Sequence, residues 1–271
     1  MSKPALPDLN GRADFCCAKC GFALISAVMG KKKLIRFREN ATFPELFEPP
    51  ALELLAKDHE LKGRWAEGYF GNSNPVILEL GCGRGEYTVG LAQLFPEQNF
   101  IGVDIKGSRL NFGAKAIRQA GIRNACFIRS QIELLNRIFD REISEIWVTF
   151  PDPFHGKAHR RLTSPAFLNR YLGVLGENGT VCLKTDDFSL YDFTRGIANE
   201  NGLEIIDDTD DLYNSPLLLA TPQIQTTYEK RFISEGKKIC LLRFKLDRVI
   251  KPLPKKRKQP ADVAACLNST K

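Results

Sequence analysis

The feature that most constrains this chain is a series of short apolar runs, each followed by a stretch of helical period, that begins at Val76 and continues to Lys245. Val76–Leu80 reads as a strand and Glu86–Leu94 as a helix; Asn99–Asp104 is a strand ending in an acid, and residues 108–120 form a helix stopped by Gly121. Ala125–Arg129 reads as a strand, 132–139 as a helix, 145–150 as a strand closed by Pro151, and 165–175 as a helix. After a turn at Gly176-Glu177-Asn178-Gly179 come a strand at 180–185, a helix at 190–201, a short strand at 203–207 and a last strand at 238–245. Parallel strands need long crossovers, and helices in those crossovers cover both faces of the sheet, which leaves the strands apolar throughout. The pattern therefore predicts an α/β fold with a mostly parallel sheet and helices on both faces. The last strand follows a long non-helical stretch, which permits an antiparallel position at the edge. Upstream, residues 51–69 read as one helix with Leu54, Leu55 and Leu61 on one side.

A chain of 271 residues with 43% hydrophobic content can bury a sizeable core. No segment approaches the roughly 18 to 20 apolar residues of a membrane-spanning helix. The apolar stretch 22–28 is too short and lacks the basic leader and cleavage pattern of a secretory signal, so a soluble cytoplasmic protein with no membrane partner is expected. Cys82, Cys126, Cys182, Cys240 and Cys266 are scattered singly, the pattern of reduced thiols. Cys16, Cys17 and Cys20 form C-C-x-x-C, but no second pair of ligands follows at zinc spacing, and no metal is expected.

The net charge of +7 sits on the ends. Residues 1–40 carry eight basic and three acidic side chains, residues 245–271 eight and two, and the middle 23 and 27. Basic arms on a near-neutral body suit a polyanionic partner, and solubilising tails are the alternative. The composition changes at Met29, which reads as a natural start. The expected organisation is a disordered extension at 1–28, a basic arm at 29–50, a catalytic domain at 51–246 and a disordered basic tail at 247–271.

Between the first strand and first helix stands Glu79-Leu80-Gly81-Cys82-Gly83-Arg84-Gly85, with Glu86 where a dinucleotide fingerprint has its third glycine. Gly81, Gly83 and Gly85 are framed by Glu79 and, at the end of the second strand, Asp104. Such a turn admits a ligand without phosphate: Glu79 attracts a cationic amino-acid group or sulfonium, and Asp104 takes both ribose hydroxyls. The alternatives are a ligand-free tight turn and, for Asp104, a helix cap. These residues resemble the cofactor motif of class I S-adenosylmethionine-dependent methyltransferases. That resemblance implies a Rossmann-like, seven-stranded sheet whose last strand is antiparallel, and adenine contacts after the third strand, where Ser130 stands with Gln131 beside it.

After the fourth strand comes Thr149-Phe150-Pro151-Asp152-Pro153-Phe154, where two prolines stiffen the backbone around one carboxylate. His155, Lys157, His159, Arg160 and Arg161 follow with no acid among them. An acid for base donors beside cations for phosphates is what a nucleotide substrate needs, and a proline-rich loop with a solvated basic face is the alternative. Lys184-Thr185-Asp186-Asp187 ends the fifth strand, and Thr226-Thr227-Tyr228-Glu229 precedes the last. Alone, Asp186 and Asp187 could cap the next helix and Tyr228 could be core.

In this order and spacing, these motifs resemble the bacterial tRNA (guanine-N7-)-methyltransferases from about Met29 to Phe244. The resemblance implies methyl transfer from S-adenosylmethionine to N7 of a guanine in the tRNA variable loop. It puts Glu79, Asp104, Ser130 and Asp152 at cofactor-binding positions, with Asp152 also the active-site acid. It puts Lys157, Asp186, Thr226, Thr227, Tyr228 and Glu229 at substrate-binding positions. The chain departs from the family at Phe154, which replaces a common Trp, at Gly156, which replaces a Lys, and in a shorter basic stretch. Two other functions compete: a class I methyltransferase acting on another RNA or a small-molecule nitrogen, and a non-catalytic RNA-binding module. Guanine N7 has an in-plane lone pair and no proton, so its methylation needs alignment and charge stabilisation rather than a strong base or a metal.

Overall fold

In the computed structural model, which describes residues 33–253, eight strands form one sheet. In chain order they are β1 (Leu46–Phe47), β2 (Val76–Leu80), β3 (Asn99–Asp104), β4 (Ala125–Arg129), β5 (Ile143–Thr149), β6 (Leu175–Thr185), β7 (Ile205–Thr209) and β8 (Cys240–Lys245). They lie in the order β1-β4-β3-β2-β5-β6-β8-β7. All neighbouring pairs from β1 to β6 are parallel, and β8 runs antiparallel between β6 and β7. The expected seven strands and antiparallel last strand are thus present, and β1 adds a two-residue edge against Phe127 and Ile128. The helices are α1 (Ala51–Ala56), α2 (Glu86–Leu94), α3 (Gly107–Ala120), α4 (Leu135–Ile138), α5 (Pro165–Leu172), α6 (Phe188–Glu200), α7 (Leu217–Ala220) and α8 (Thr227–Ser234). Residues 33–40 are also helical, and Asn40 Nδ2 donates to the Gly107 carbonyl at 3.1 Å.

Side-chain alternation along β2 explains the two cores. Val76, Leu78 and Leu80 join one apolar layer with Trp65, Phe139 and Tyr171. Ile77 joins the other, with Leu91 of α2 and Ile117 of α3. Glu79 therefore points into the second layer, toward α2. The chain leaves β2 toward β3 and β4, then returns to the other side with β5 and β6. The sheet order reverses between β2 and β3 on one hand and β5 on the other, and the crevice beyond these strand ends is where open α/β sheets bind ligands.

Several expected elements differ. The single helix over 51–69 is broken after Ala56 and resumes as one wide turn, Ala66–Phe70. Lys57 is extended and Gly63 takes φ 76° in the interruption, and after it Trp65 is fully buried and donates from Nε1 to the Ile138 carbonyl at 3.0 Å. Glu142 holds this arrangement by accepting from the Gly63 and Trp65 amides at 2.7 and 2.9 Å. The expected turn at 176–179 lies inside β6 as a bulge: Ile143 pairs with Leu175, and Glu145 already with Thr180. The expected helix at 132–139 opens with a tight turn, Ile132–Leu134, before α4. The stretch before β8, read as non-helical, contains α7 and α8. The packed chain also continues beyond residue 246: Ile250 is buried, and its amide and carbonyl bond Asn169 at 2.7 and 2.9 Å. Residues 1–28, the Cys16–Cys20 cluster, Cys266 and the tail beyond 253 lie outside the described residues. Cys82, Cys126, Cys182 and Cys240 are buried free thiols.

Candidate active site

A cleft of about 1050 Å³ opens at the switch point. Its floor is the turn after β2. The Gly81 and Cys82 amides both donate to the Val103 carbonyl, at 2.8 and 3.2 Å, so the turn is clamped to β3. Gly83 has φ 58°, and a Cβ there would meet nothing nearer than 4.0 Å; Gly81 and Gly83 are cleft surface. Gly85 is different. A Cβ at Gly85 would lie 2.4 Å from the Phe127 ring. The sequence pattern puts Gly85 at the cofactor, but it instead packs the turn on β4 and does not line the cleft.

Glu79 lies in the floor and is nearly inaccessible. Its Oε2 accepts from the amide and hydroxyl of Thr88 at 2.8 and 2.5 Å, and its Oε1 from the Thr149 hydroxyl at 2.6 Å. Burial pushes its carboxyl up to about 7, against the opposing pull of the Thr149 and Thr88 bonds. Asp104 ends β3 behind the turn. Its Oδ2 accepts from the Gly83 amide at 3.0 Å and its Oδ1 from the Lys106 amide at 2.7 Å. It touches the cleft surface through Gly83 rather than lining it. Ser130 is also behind the cleft wall: it is buried, its amide donates to the Asp104 carbonyl at 3.3 Å, and its hydroxyl donates to the Gln131 carbonyl at 3.2 Å. The adenine contact expected of Ser130 is not presented to the cleft.

The opposite wall follows β5. Phe150 leaves the strand with φ 46°, a rare conformation for an aromatic residue, and lines the cleft. Asp152 is exposed within the cleft, and its Oδ1 accepts from the Phe154 amide at 3.0 Å, which fixes the side chain. Its Oδ2 makes no hydrogen bond among the described residues. Arg161, expected among the phosphate-binding cations, is buried instead. Its Nε donates to the Pro153 carbonyl at 2.9 Å, its other nitrogens reach Ser189 at 3.3 and 3.4 Å, and its guanidinium lies over the Phe193 ring. It ties the Asp152 loop to α6. Lys157 is exposed on the same loop but outside the cleft lining.

Asp186 and Asp187 divide their work. Asp187 caps α6, with its Oδ1 accepting from the Leu190 amide at 2.7 Å. Asp186 faces the cleft and pairs with Lys237 at 2.7 Å. Thr226, Thr227 and Tyr228 line the third wall at the start of α8. Glu229, expected to contact substrate, is fully buried: it pairs with Lys184 at 2.7 Å and its Oε1 accepts from the Tyr213 hydroxyl at 2.9 Å, while its Oε2 has no hydrogen-bond partner among the described residues. This inward carboxylate meeting a buried lysine braces α8 against β6.

The structure thus brings Glu79, Gly81, Gly83, Asp152, Asp186, Thr226, Thr227 and Tyr228 to one cleft. It adds cleft residues that sequence reading did not single out. Thr149 gave a signal, standing one residue before the Phe-Pro-Asp-Pro motif. Arg36, Arg109 and Phe112 gave none: the packing of residues 33–40 on α3 brings Arg36 there, and Arg109 and Phe112 stand on the first turns of α3. The donors fit a cofactor with cationic and ribose groups: open glycine backbone, a buried carboxyl beside it and a second carboxylate behind it.

A family model described as "Putative methyltransferase" matches residues 73–242. The tRNA (guanine-N(7)-)-methyltransferase of Bacteroides fragilis (strain YCH46) is 45% identical over 219 residues, 80% of this chain and 87% of that protein. The protein of the same name from Christiangramia forsetii is 45% identical over 220 residues, 80% and 98% of the two chains. Among solved structures, the 16S rRNA methyltransferase KamB superposes with TM-score 0.50 at 16% identity, covering 65% of this chain and 89% of that one. An antibiotic-related methyltransferase superposes with TM-score 0.51 at 18% identity, covering 69% and 95%. These two likenesses concern the fold alone.

Proposed function

Because the chain belongs to the tRNA (guanine-N7-)-methyltransferase family, and so transfers a methyl group from S-adenosylmethionine to N7 of a guanine in tRNA, we propose that the cleft at the switch point is its active site and that Asp152 is the residue that acts on the base. The acceptor guanine is in the variable loop, and the protein works in the cytoplasm with its tRNA.

When bound, S-adenosylmethionine supplies an electrophilic methyl group on a sulfonium. The residues of this chain supply the rest. Gly81 and Gly83 give the close backbone surface, Glu79 a negative floor for the cationic amino-acid end, and Asp104 a carboxylate for the ribose. Asp186 and the Thr226–Tyr228 wall receive the nucleotide opposite Asp152. The N7 lone pair forms the new carbon–nitrogen bond as the carbon–sulfur bond breaks, its electrons staying on sulfur, and no proton leaves N7. The purine gains positive charge in that step. A fixed carboxylate stabilises it without reorganising. Asp152 also accepts from guanine N–H donors that adenine does not offer at those positions. The basic side chains at the cleft mouth, Arg36, Arg84 and Arg109, face RNA phosphates.

One observation carries this reading: Asp152 is held by its own loop at Oδ1 while Oδ2 is free, in the same cleft as the glycine turn. Asp152→Asn keeps the shape and removes the charge. Single-turnover methylation at saturating tRNA and labelled cofactor, with nucleosides identified by mass spectrometry, should show 7-methylguanosine formed about a hundredfold more slowly than with the wild-type chain. The tRNA affinity and melting temperature should barely move. A wild-type rate would make Asp152 a loop acid and the reading wrong.

A further inference from the structure

Glu86 opens α2 directly after the glycine turn. Its side chain crosses the cleft to the first residue of α8: Oε2 accepts from the Thr227 amide at 2.5 Å and Oε1 from the Thr227 hydroxyl at 2.7 Å. Both residues line the cleft. One turn further along α2, Gly90 faces the Ile224 side chain so closely that a Cβ would lie 2.8 Å from it. The helix that begins at the cofactor turn is therefore in contact with the substrate wall at two levels, and only the first uses a charge.

That carboxylate meets a helix N-terminus, where the unpaired amides and the helix dipole favour an anion. Thr226 satisfies the Glu229 amide at 3.2 Å, and Glu86 takes the Thr227 amide that the cap leaves over. The middle of α8 is anchored separately by the buried Lys184–Glu229 pair. Removing Glu86 frees the Thr226–Tyr228 end without releasing the helix.

We infer that Glu86 is a positioning residue that couples the two halves of the site, so that cofactor and tRNA each bind more tightly when the other is present. This rests on the assignment of the glycine turn to cofactor and of Thr226–Tyr228 to substrate. A ligand seated on Gly81–Gly83 orders the start of α2, Glu86 transmits that order to the Thr227 backbone, and the wall that meets the nucleotide is set. The reverse path has the same free energy, because coupling between two binding sites is reciprocal.

Isothermal titration with S-adenosylhomocysteine, which cannot be turned over, measures the coupling as the ratio of its Kd without tRNA to its Kd at saturating tRNA. The wild-type ratio should be about tenfold, within the usual range for coupled sites. Titrating tRNA with and without S-adenosylhomocysteine should return the same ratio. In Glu86→Ala the ratio should fall to within about twofold of unity, while each ligand alone binds nearly as it does to the wild-type chain. Glu86→Gln, whose amide oxygen still accepts from the Thr227 amide, should restore part of the ratio. A wild-type ratio near one, or an unchanged ratio in Glu86→Ala, overturns the proposal. So does an equal loss of S-adenosylhomocysteine affinity with and without tRNA, which would make Glu86 a cofactor contact. Asp104→Ala separates the underlying reading: if it leaves S-adenosylhomocysteine binding intact, the site assignment fails and the coupling with it. If it abolishes binding while Glu86→Ala keeps the wild-type ratio, only the coupling fails.

Discussion

At the scale of single residues, the ionisation of Glu79 sets fold and function against each other. Its carboxyl is buried and raised from 4.5 to about 7. The folded chain therefore holds a proton that the unfolded chain gives up, and the stability this contributes is full below the unfolded value and lost as pH rises through about 7. Between low pH and pH 8 this shift lowers the folding stability by on the order of 3 kcal/mol. Glu79→Gln keeps a group that can bond Thr88 and Thr149 but cannot ionise. Calorimetric melting should show the variant several degrees more stable than the wild-type chain at pH 8, with the gap closing toward pH 5. Cofactor binding should go the other way. A cationic ligand selects the carboxylate form, so wild-type affinity should fall as pH drops through about 7, and Glu79→Gln should bind weakly at every pH. An equal pH dependence of affinity in the two proteins would remove Glu79 from the cofactor site. The sequence placed this acid beside the turn, but its threonine partners are nine and seventy positions away and are joined to it only by the packing of α2 and the β2–β5 pairing.

At the scale of elements, legibility followed the apolar pattern. β2, β3 and β4 are mostly apolar and buried along almost their whole length, and they matched their expected limits because strands covered on both faces carry a near-continuous apolar run. α8 was not legible, for its eight residues are mostly polar and the side chain it buries is Glu229. Its apolar residues, Tyr228, Phe232 and Ile233, give a single i, i+4 pair over little more than one turn, too short a period to announce a helix even with the Thr226 cap. The glycine turn was found as a unit, but its glycines are not equivalent. Gly83→Ala adds a methyl group on the cleft surface at φ 58°. It should lower stability by about 1 kcal/mol of backbone strain and weaken S-adenosylhomocysteine binding measured by calorimetry. Gly85→Ala drives the same methyl group into Phe127. Overpacking adds roughly 1–3 kcal/mol to the strain, so Gly85→Ala should melt well below Gly83→Ala. Equal melting temperatures would show that the Phe127 ring yields without penalty.

At the scale of the whole molecule, the charge distribution meets the sheet topology. The central part of the sequence is slightly acidic and the two ends are basic, while the switch point lies in the centre. In the cleft lining, Glu79, Glu86, Asp152, Asp186 and Asp187 stand against Arg36, Arg84, Arg109, Arg231 and Lys237, and of these cations Arg36 comes from the basic N-terminal end. The helix at 33–40 shows how one end reaches the site: Glu39 pairs with Lys115 of α3 at 2.7 Å, Asn111 Nδ2 donates to Asn40 Oδ1 at 3.0 Å, and Arg36 lies over Phe112 at the cleft mouth. Deleting residues 1–28 removes a net charge of +1 and none of these interactions, and it should leave tRNA methylation nearly intact. Deleting residues 1–38 also removes Lys31, Lys32, Lys33, Arg36 and Arg38. For each phosphate that the arm no longer neutralises, the slope of log Kd against log salt should fall by roughly 0.7 to 0.9. The tRNA binding should therefore weaken most at low salt and approach the wild-type value as salt is raised. S-adenosylhomocysteine affinity, which involves no phosphate, should change far less than tRNA affinity. Filter binding of tRNA across a salt series tests this directly. A shorter deletion that already flattens the slope would place an RNA-binding segment before Met29, and a longer deletion that leaves the slope unchanged would take the basic arm out of the RNA interface.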